Sequence, residues 1–226
     1  MTNSDGEQRH ELIVGPLVPG PLSEQVLNLA ATGRAGLSAL LGDAAQRHAL
    51  FRRGMRADRF LVATVDGALA GYTSLKFAGR GPFGPSLGDF LRVYGWARGA
   101  YAFAIFTRIE ARSRAQPGGG YIYGMDVLKP YRGHKASRGH DVGGALMRTA
   151  IALASALGLN HLDMEVRRNT ARALARRMGA VPVVPRLLSL DRFLMASAGE
   201  YERLTIPLPR EKDSQDGLGG QSAAAP

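Results

Sequence analysis

The sequence predicts an α/β fold, a mixed and mostly antiparallel sheet of about six or seven strands flanked by helices. Three observations predict it. Two apolar runs, Arg59–Val65 and Ala68–Phe77, flank Asp66-Gly67. That pair is a two-residue hairpin signal, because a type I′ turn needs positive φ at both central positions. Next, Tyr121–Ala180 reads as strand, loop, helix, strand, helix. Finally, helical patterns lie between a first strand and the hairpin, so the two kinds of element alternate.

Glu11–Val18 is the first strand, ended by the cluster of Pro16, Pro19 and Pro21. Ser23 can cap a helix carrying Val26, Leu27 and Ala30, and a second helix is expected from Ala35 to Arg53. The hairpin follows, and then an insertion over residues 78–120. Its Gly79–Pro85 segment is a loop, and Ser86 with Asp89 makes a capping box. One long helix is expected from Leu87 to Ala115, with Phe90, Tyr94, Trp96, Tyr101 and Phe103 on more than one face. Arg92, Arg98 and Arg108 interrupt it, so no uncharged run approaches the roughly 20 residues of a bilayer span. So many aromatics need cover from the core, from a second subunit in a homodimer, or from an apolar ligand.

Tyr121–Val127 is an apolar strand, and Lys129–His140 is a basic, glycine-bearing loop. Gly143–Leu157 is helical, with Val142, Leu146, Ala150, Leu153 and Leu157 on one stripe and Gly158 as its stop. His161–Val166 alternates as a strand. Asn169 can cap a last helix bearing Leu174, Ala175 and Met178, closed by Gly179. Val181–Leu188 reads as a strand, Leu190–Ser197 as a short helix and Tyr201–Leu208 as a final strand. Residues 1–9 and 209–226 are expected to be disordered ends of a single domain over 10–208.

A chain of 226 residues with 45% hydrophobic content can bury a sizeable core. It has no cysteine, which excludes a disulfide framework, a thiolate metal site and a cysteine nucleophile. Met1–Glu11 carries no apolar signal region, so a cytoplasmic location is expected. The net charge is +10, and only Lys76, Lys129, Lys135 and Lys212 are lysines. The basic balance is therefore mostly arginine, whose planar fork of donors matches phosphate.

The segments Val127-Leu128-Lys129-Pro130, Arg138-Gly139-His140-Asp141-Val142-Gly143-Gly144, Met164-Glu165-Val166 and Asn169 through Gly179 occur in that order. Together they resemble the acetyl-CoA-binding core of the GNAT acyltransferase family, over roughly residues 60 to 185. The resemblance implies a GNAT-like sheet, acetyl-CoA as acyl donor, and transfer of an acetyl group to an amine on a small molecule or peptide. It also implies a pyrophosphate loop at Arg138–Gly144, with Val127 and Asn169 near the cofactor. Asp141 stands where the pattern has its first glycine, and Arg132 begins a competing register closer to Pro130. Ala175 stands where the family carries a catalytic tyrosine.

The chemistry can be read from the residues. A pyrophosphate needs convergent N–H donors at a helix N-terminus, and Arg138, Gly139, His140, Asp141, Val142, Gly143 and Gly144 open a clear amphipathic helix. Arg132 adds a cation. The resemblance further implies that a backbone N–H on the strand near the V-x-P motif, at Met125, Asp126, Val127 or Leu128, polarises the thioester carbonyl whatever the side chain. The acceptor ammonium must lose a proton, and Asp126 and Glu165 are the candidate bases. The five histidines are dispersed with no paired-ligand spacing, so no metal is expected. Two other readings remain beside the enzyme. One is a catalytically silent domain that binds CoA or a partner. The other is a basic nucleic-acid-binding protein, although no nucleic-acid-binding motif is present.

Overall fold

In the computed structural model, residues 11–33, 38–112, 117–132, 141–166, 169–183 and 202–209 are described. The chain divides into two compact units, Met1–Arg114 with Tyr121–Ala150 and Ala115–Gly120 with Ile151–Pro226. Seven strands and seven α-helices alternate among the described residues, which makes the fold α/β with antiparallel sheet flanked by helices.

In the first unit, β1 (Leu12–Pro16), β2 (Phe60–Val65), β3 (Ala68–Lys76) and β4 (Gly119–Val127) pair antiparallel in that order. The β2–β3 turn is the hairpin predicted, with Asp66 at φ 52° and Gly67 at φ 79°. Helix α1 (Pro21–Gly33) starts on proline, which is pre-organised for a first helical turn. Ser23 is therefore inside the helix and not its cap; its Oγ accepts the Gly20 N–H. The expected second helix is two, α2 (Ser38–Leu41) and α3 (Ala44–Gly54), because Asp43 caps α3 by accepting the Gln46 N–H at 2.8 Å. The start proposed at Ala35 lies outside the described residues.

The insertion also differs from expectation. It forms α4 (Leu87–Tyr94) and α5 (Trp96–Arg112), since Gly95 takes φ 77° and turns the chain back. The two helices touch closely at Gly99, where a Cβ would lie 2.7 Å from the Phe90 carbonyl oxygen and 2.9 Å from the Leu91 Cα. Gly99→Ala should push them apart at a cost of about 1–3 kcal/mol, typical of overpacking. Thermal unfolding measures it, and an unchanged midpoint would mean the helices are free to separate.

The capping box of α4 is present, with Ser86 and Asp89 bonded to each other's backbone N–H. The Ser86 hydroxyl and N–H hold the Asp89 carboxyl below its ordinary value, assisted by Arg53 and Arg92. A lowered carboxyl contributes stability that is present above its unfolded value and lost as pH falls through the folded one. Ser86→Ala should therefore cost about 1 kcal/mol at neutral pH. The gap from the parent protein should narrow below about pH 4 in acid titrations.

The core of this unit joins α1, α3, β2, β3 and the insertion through Val26, Leu27, Phe51, Phe60, Tyr72 and Phe90. Phe51 stacks on Phe83 with centroids 4.4 Å apart, and Phe90 meets Phe103 edge-on at 5.5 Å. Each large side chain buried this way contributes on the order of 1.5–3 kcal/mol. The aromatics of the insertion are not all covered. Phe90 is buried and Tyr94 and Phe103 pack against the core, but Trp96 is 82% exposed and Tyr101 66% exposed. The break at Gly95 starts α5 on Trp96, while Ala102 and Phe106 take its inward stripe.

Helix α6 (Val142–Ala156) buries Val142, Leu146 and Ala150 of the stripe read from sequence, but Met147 and Ala154 complete the buried face in place of Leu153, which is half-buried, and Leu157, which is exposed past the helix end. In the second unit, β5 (His161–Val166) pairs antiparallel with β7 (Glu202–Pro207), and β6 (Val181–Pro182) pairs with β7. Between them lies α7 (Asn169–Arg177), with Gly179 past its end at φ 85°. The strand expected over Val181–Leu188 is seen only as Val181–Pro182, and its remainder from residue 184 lies outside the described residues. So do the helix expected over Leu190–Ser197 and both expected disordered ends.

Candidate active site

The C-terminal end of β4 gathers three of the residues singled out from sequence. Asp126 sits opposite Tyr72 and Val127 opposite Gly71 in β3. Side chains opposite each other share a face of the sheet. Tyr72 belongs to the helix-covered core, so Asp126 stands on the face covered by α1 and the insertion. The carboxylate reaches the end of α1, where a Cβ on Gly33 would lie 2.9 Å from its Oδ2. After β4 a short 3₁₀ turn over Lys129–Tyr131 reverses the chain. Arg132 then folds back, its Nη2 donating to Asp126 Oδ1 at 3.0 Å and its Nε to the Val127 carbonyl. Asp126 is 24% exposed and Arg132 44% exposed, so the pair is partly screened by solvent.

Leu128 does not supply a free donor. Its N–H is committed to the Ala70 carbonyl at 2.8 Å. In an antiparallel ladder the N–H groups alternate between the two edges of a strand. Leu128 and Asp126 therefore point theirs toward β3, and Val127 and Met125 point theirs toward the other edge. Of the residues near Leu128, it is Val127 and Met125 whose N–H groups face away from β3.

Asp141 is the N-cap residue of α6. Its Oδ1 accepts the Gly144 N–H at 3.0 Å, and Ala145 N–H bonds back to its carbonyl at 2.8 Å. A Cβ on Gly144 would lie 2.1 Å from Asp141 Oδ2, so only glycine leaves room for this carboxylate. Arg148 lies 4.0 Å from it, two turns on. Val142 is buried, while Gly143 is half-buried beside it at the helix start. Arg138, Gly139 and His140 lie outside the described residues.

Glu165 and Asn169 belong to the second unit. Glu165 is exposed on β5, opposite Arg203 in β7. Asn169 is the first residue of α7 rather than a residue before it. Ala175 is fully buried.

One cluster was missed. The β3–β4 register passes from Ser74 opposite Gly124 to Leu75 opposite Ile122, so Tyr123 sits at a bulge. The resulting bulge turns its ring onto the core side, where its hydroxyl donates to Glu110 of α5. The other Glu110 oxygen takes Lys76 Nζ at 2.8 Å, and Lys76 also donates to the Glu110 carbonyl at 2.6 Å. Lys76 is only 4% exposed. The signal available was Lys76 itself, a cation inside the otherwise apolar run Ala68–Phe77.

No family model matches the sequence, and no curated protein matches it. Solved structures do. An agmatine N-acetyltransferase without ligand aligns over 88% of this chain and 100% of its own, at 16% identity and a TM-score of 0.54. An insect protein assigned as arylalkylamine N-acetyltransferase 7, from the yellow fever mosquito, aligns over 88% of both chains, at 14% identity and 0.52. A further acetyltransferase aligns over 87% of this chain and 100% of its own, at 14% identity and 0.50. The fold is the GNAT fold. On it, the insertion between β3 and β4 supplies Glu110 to the strand that carries Asp126 and Val127. Among the described residues no group of histidines and carboxylates could hold a metal ion, and no helix is long and apolar enough to cross a membrane.

Proposed function

We propose that this chain is an acyl-CoA-dependent N-acyltransferase that moves an acetyl group from acetyl-CoA to a small-molecule or peptide amine. The observation that carries this reading is the end of β4, where a carboxylate, an outward-turned backbone N–H and an arginine meet on a GNAT fold. The amine nitrogen attacks the thioester carbonyl, a C–N bond forms, and the C–S bond breaks to release the CoA thiolate. Asp126 takes the proton that the ammonium must lose, with Glu165 as the other carboxylate available. The Val127 N–H stabilises the oxyanion. Arg132, Arg138, Gly139, His140 and the opening of α6 at Asp141–Gly144 hold the pyrophosphate, with Asn169 near the cofactor.

The donor set fits this role with one obstacle. The Asp141 carboxylate already uses one of the N–H groups that a phosphate would seek. Asp141→Gly should therefore leave CoA affinity equal or tighter, while helix stability falls by only a few tenths of a kcal/mol, since glycine is a fair cap. Calorimetry checks this. A large loss of affinity would mean that Asp141 itself serves the donor.

A second reading is a catalytically silent domain that binds CoA. It is favoured by Ala175, which leaves no phenol at the place the family uses for its acid, and by the seat of Asp141. Two measurements separate the readings. Calorimetry with acetyl-CoA should give micromolar affinity under both. Thiol release with a panel of amines, agmatine and an arylalkylamine among them, should occur only under the first. No heat of binding at millimolar acetyl-CoA would overturn both.

A further inference from the structure

We propose that the cleft between α3 and α4 is a binding site for a polyphosphate chain, distinct from the acyl-transfer site. The cleft lies within the first unit and has a volume of about 790 Å³. His48, Arg52 and Arg53 of α3 and Arg92 of α4 line it, and no residue of β4, of the turn after it or of α6 does. Helical spacing explains the convergence on α3. Positions 45, 48, 49, 52 and 53 share one face, while Arg47, Leu50 and Phe51 take the buried one. The partial negative charge at the end of α3 favours cations at Arg52 and Arg53, but it does not account for Arg92 on another helix. Asp89 joins the two sides. Its Oδ2 accepts from the Ser86 N–H and hydroxyl. Its Oδ1 accepts from Arg92 Nη1 at 3.2 Å and lies 4.0 Å from Arg53 Nη1. One carboxylate oxygen thus holds two guanidiniums side by side and leaves one positive charge in excess. Glu24 of α1 plays the same part for His48 at 2.9 Å and Arg52 at 3.8 Å. Neither carboxylate lines the cleft, so the charged side chains that do are cationic. Two neighbouring planar forks match the adjacent anionic groups of a phosphate chain better than a single carboxylate. The volume is that of a small-molecule site, and Ala45, Ala49 and Val93 give it an apolar wall against which an organic body can lie.

The test is calorimetry on the full chain with inorganic tripolyphosphate, at about 0.15 M salt so that distant charges are screened. Arg53→Gln and Arg92→Gln are each expected to weaken binding by about three- to twentyfold, the loss of a charge-assisted hydrogen bond at a solvent-exposed site. Arg148→Gln removes an exposed arginine near the opening of α6 and is expected to change binding by less than about twofold. Equal losses in all three variants would report general attraction to a basic chain and overturn the site. A loss confined to Arg148→Gln would place the probe at α6 and overturn it too, as would no heat of binding at about 1 mM tripolyphosphate. ATP as a second probe separates the sources of the chain. Tighter binding than tripolyphosphate, lost with Arg92→Gln, assigns the cleft to a nucleoside polyphosphate seated on the apolar wall; equal or weaker binding, lost in the same way, assigns it to the bare chain. Arg53 and Arg92 are both exposed, and circular dichroism confirms that each variant is folded. Should Arg53→Gln fail to fold, Arg92→Gln against Arg148→Gln decides alone. The cleft is tested with its own probe, so it stands or falls apart from the acyl-donor reading.

Discussion

Asp126→Asn is expected to lower the rate of acyl transfer by about 10²–10⁴, the range for losing one general base. Asparagine keeps the shape of the side chain and its place opposite Tyr72, so the strand should be unharmed. It cannot take a proton from an ammonium. The readout is thiol release from acetyl-CoA, at saturating donor and over a range of pH, with an amine that the parent protein accepts. The loss should appear in kcat, and raising the pH should recover part of it, because free amine then forms in solution without help. Glu165→Gln is the comparison. If it costs more than Asp126→Asn, the base lies on β5, and the ion pair with Arg132 serves only to fix the turn after β4.

The second large effect concerns folding. Lys76→Met should destabilise the first unit by about 3–5 kcal/mol, the cost of breaking a buried ion pair and leaving one partner behind. Lys76 is 4% exposed and Glu110 18% exposed, so water can solvate the remaining carboxylate only in part. Tyr123 still donates to Glu110, which places the expected cost toward the lower end. Urea unfolding measures it. Lys76→Met combined with Glu110→Met should recover most of the loss, since an apolar pair of similar volume carries no stranded charge. A single-variant cost below about 1 kcal/mol would mean that the pair behaves as a surface contact. The contact also ties α5 to the bulge in β4, so the same variant should loosen the strand that carries Asp126.

Much of the chain's architecture was legible in its sequence because the signals are local. Asp66-Gly67 dictates its hairpin through the positive φ that both residues adopt, whatever surrounds them. The α6 stripe of Val142, Leu146 and Ala150 and the alternation of His161–Val166 depend on periodicity alone, and both elements appear within a residue or two of expectation. Ser86 and Asp89 specify their capping box from three positions apart. The β4 stretch and the order of the flanking segments likewise carried the likeness to acyltransferases without any contact being known.

What tertiary structure decided was every feature that joins distant parts of the chain. Sequence placed one long helix in the insertion, because aromatic residues run past Gly95; the folded chain turns there so that α5 can pack back on α4 through Gly99. Which of Met125, Asp126, Val127 and Leu128 offers its N–H away from β3 depends on register. The bond from Leu128 to Ala70 fixes that register across about 58 residues of chain. That Arg132 rests on Asp126, and that Lys76 finds Glu110 and Tyr123, follows from a turn and a bulge whose side chains meet only after the strands pair. Local periodicity fixes which residues form an element, since it needs only neighbours. Charge pairing needs the whole fold, since the Coulomb energy of a pair depends on a separation and a burial that no stretch of sequence contains.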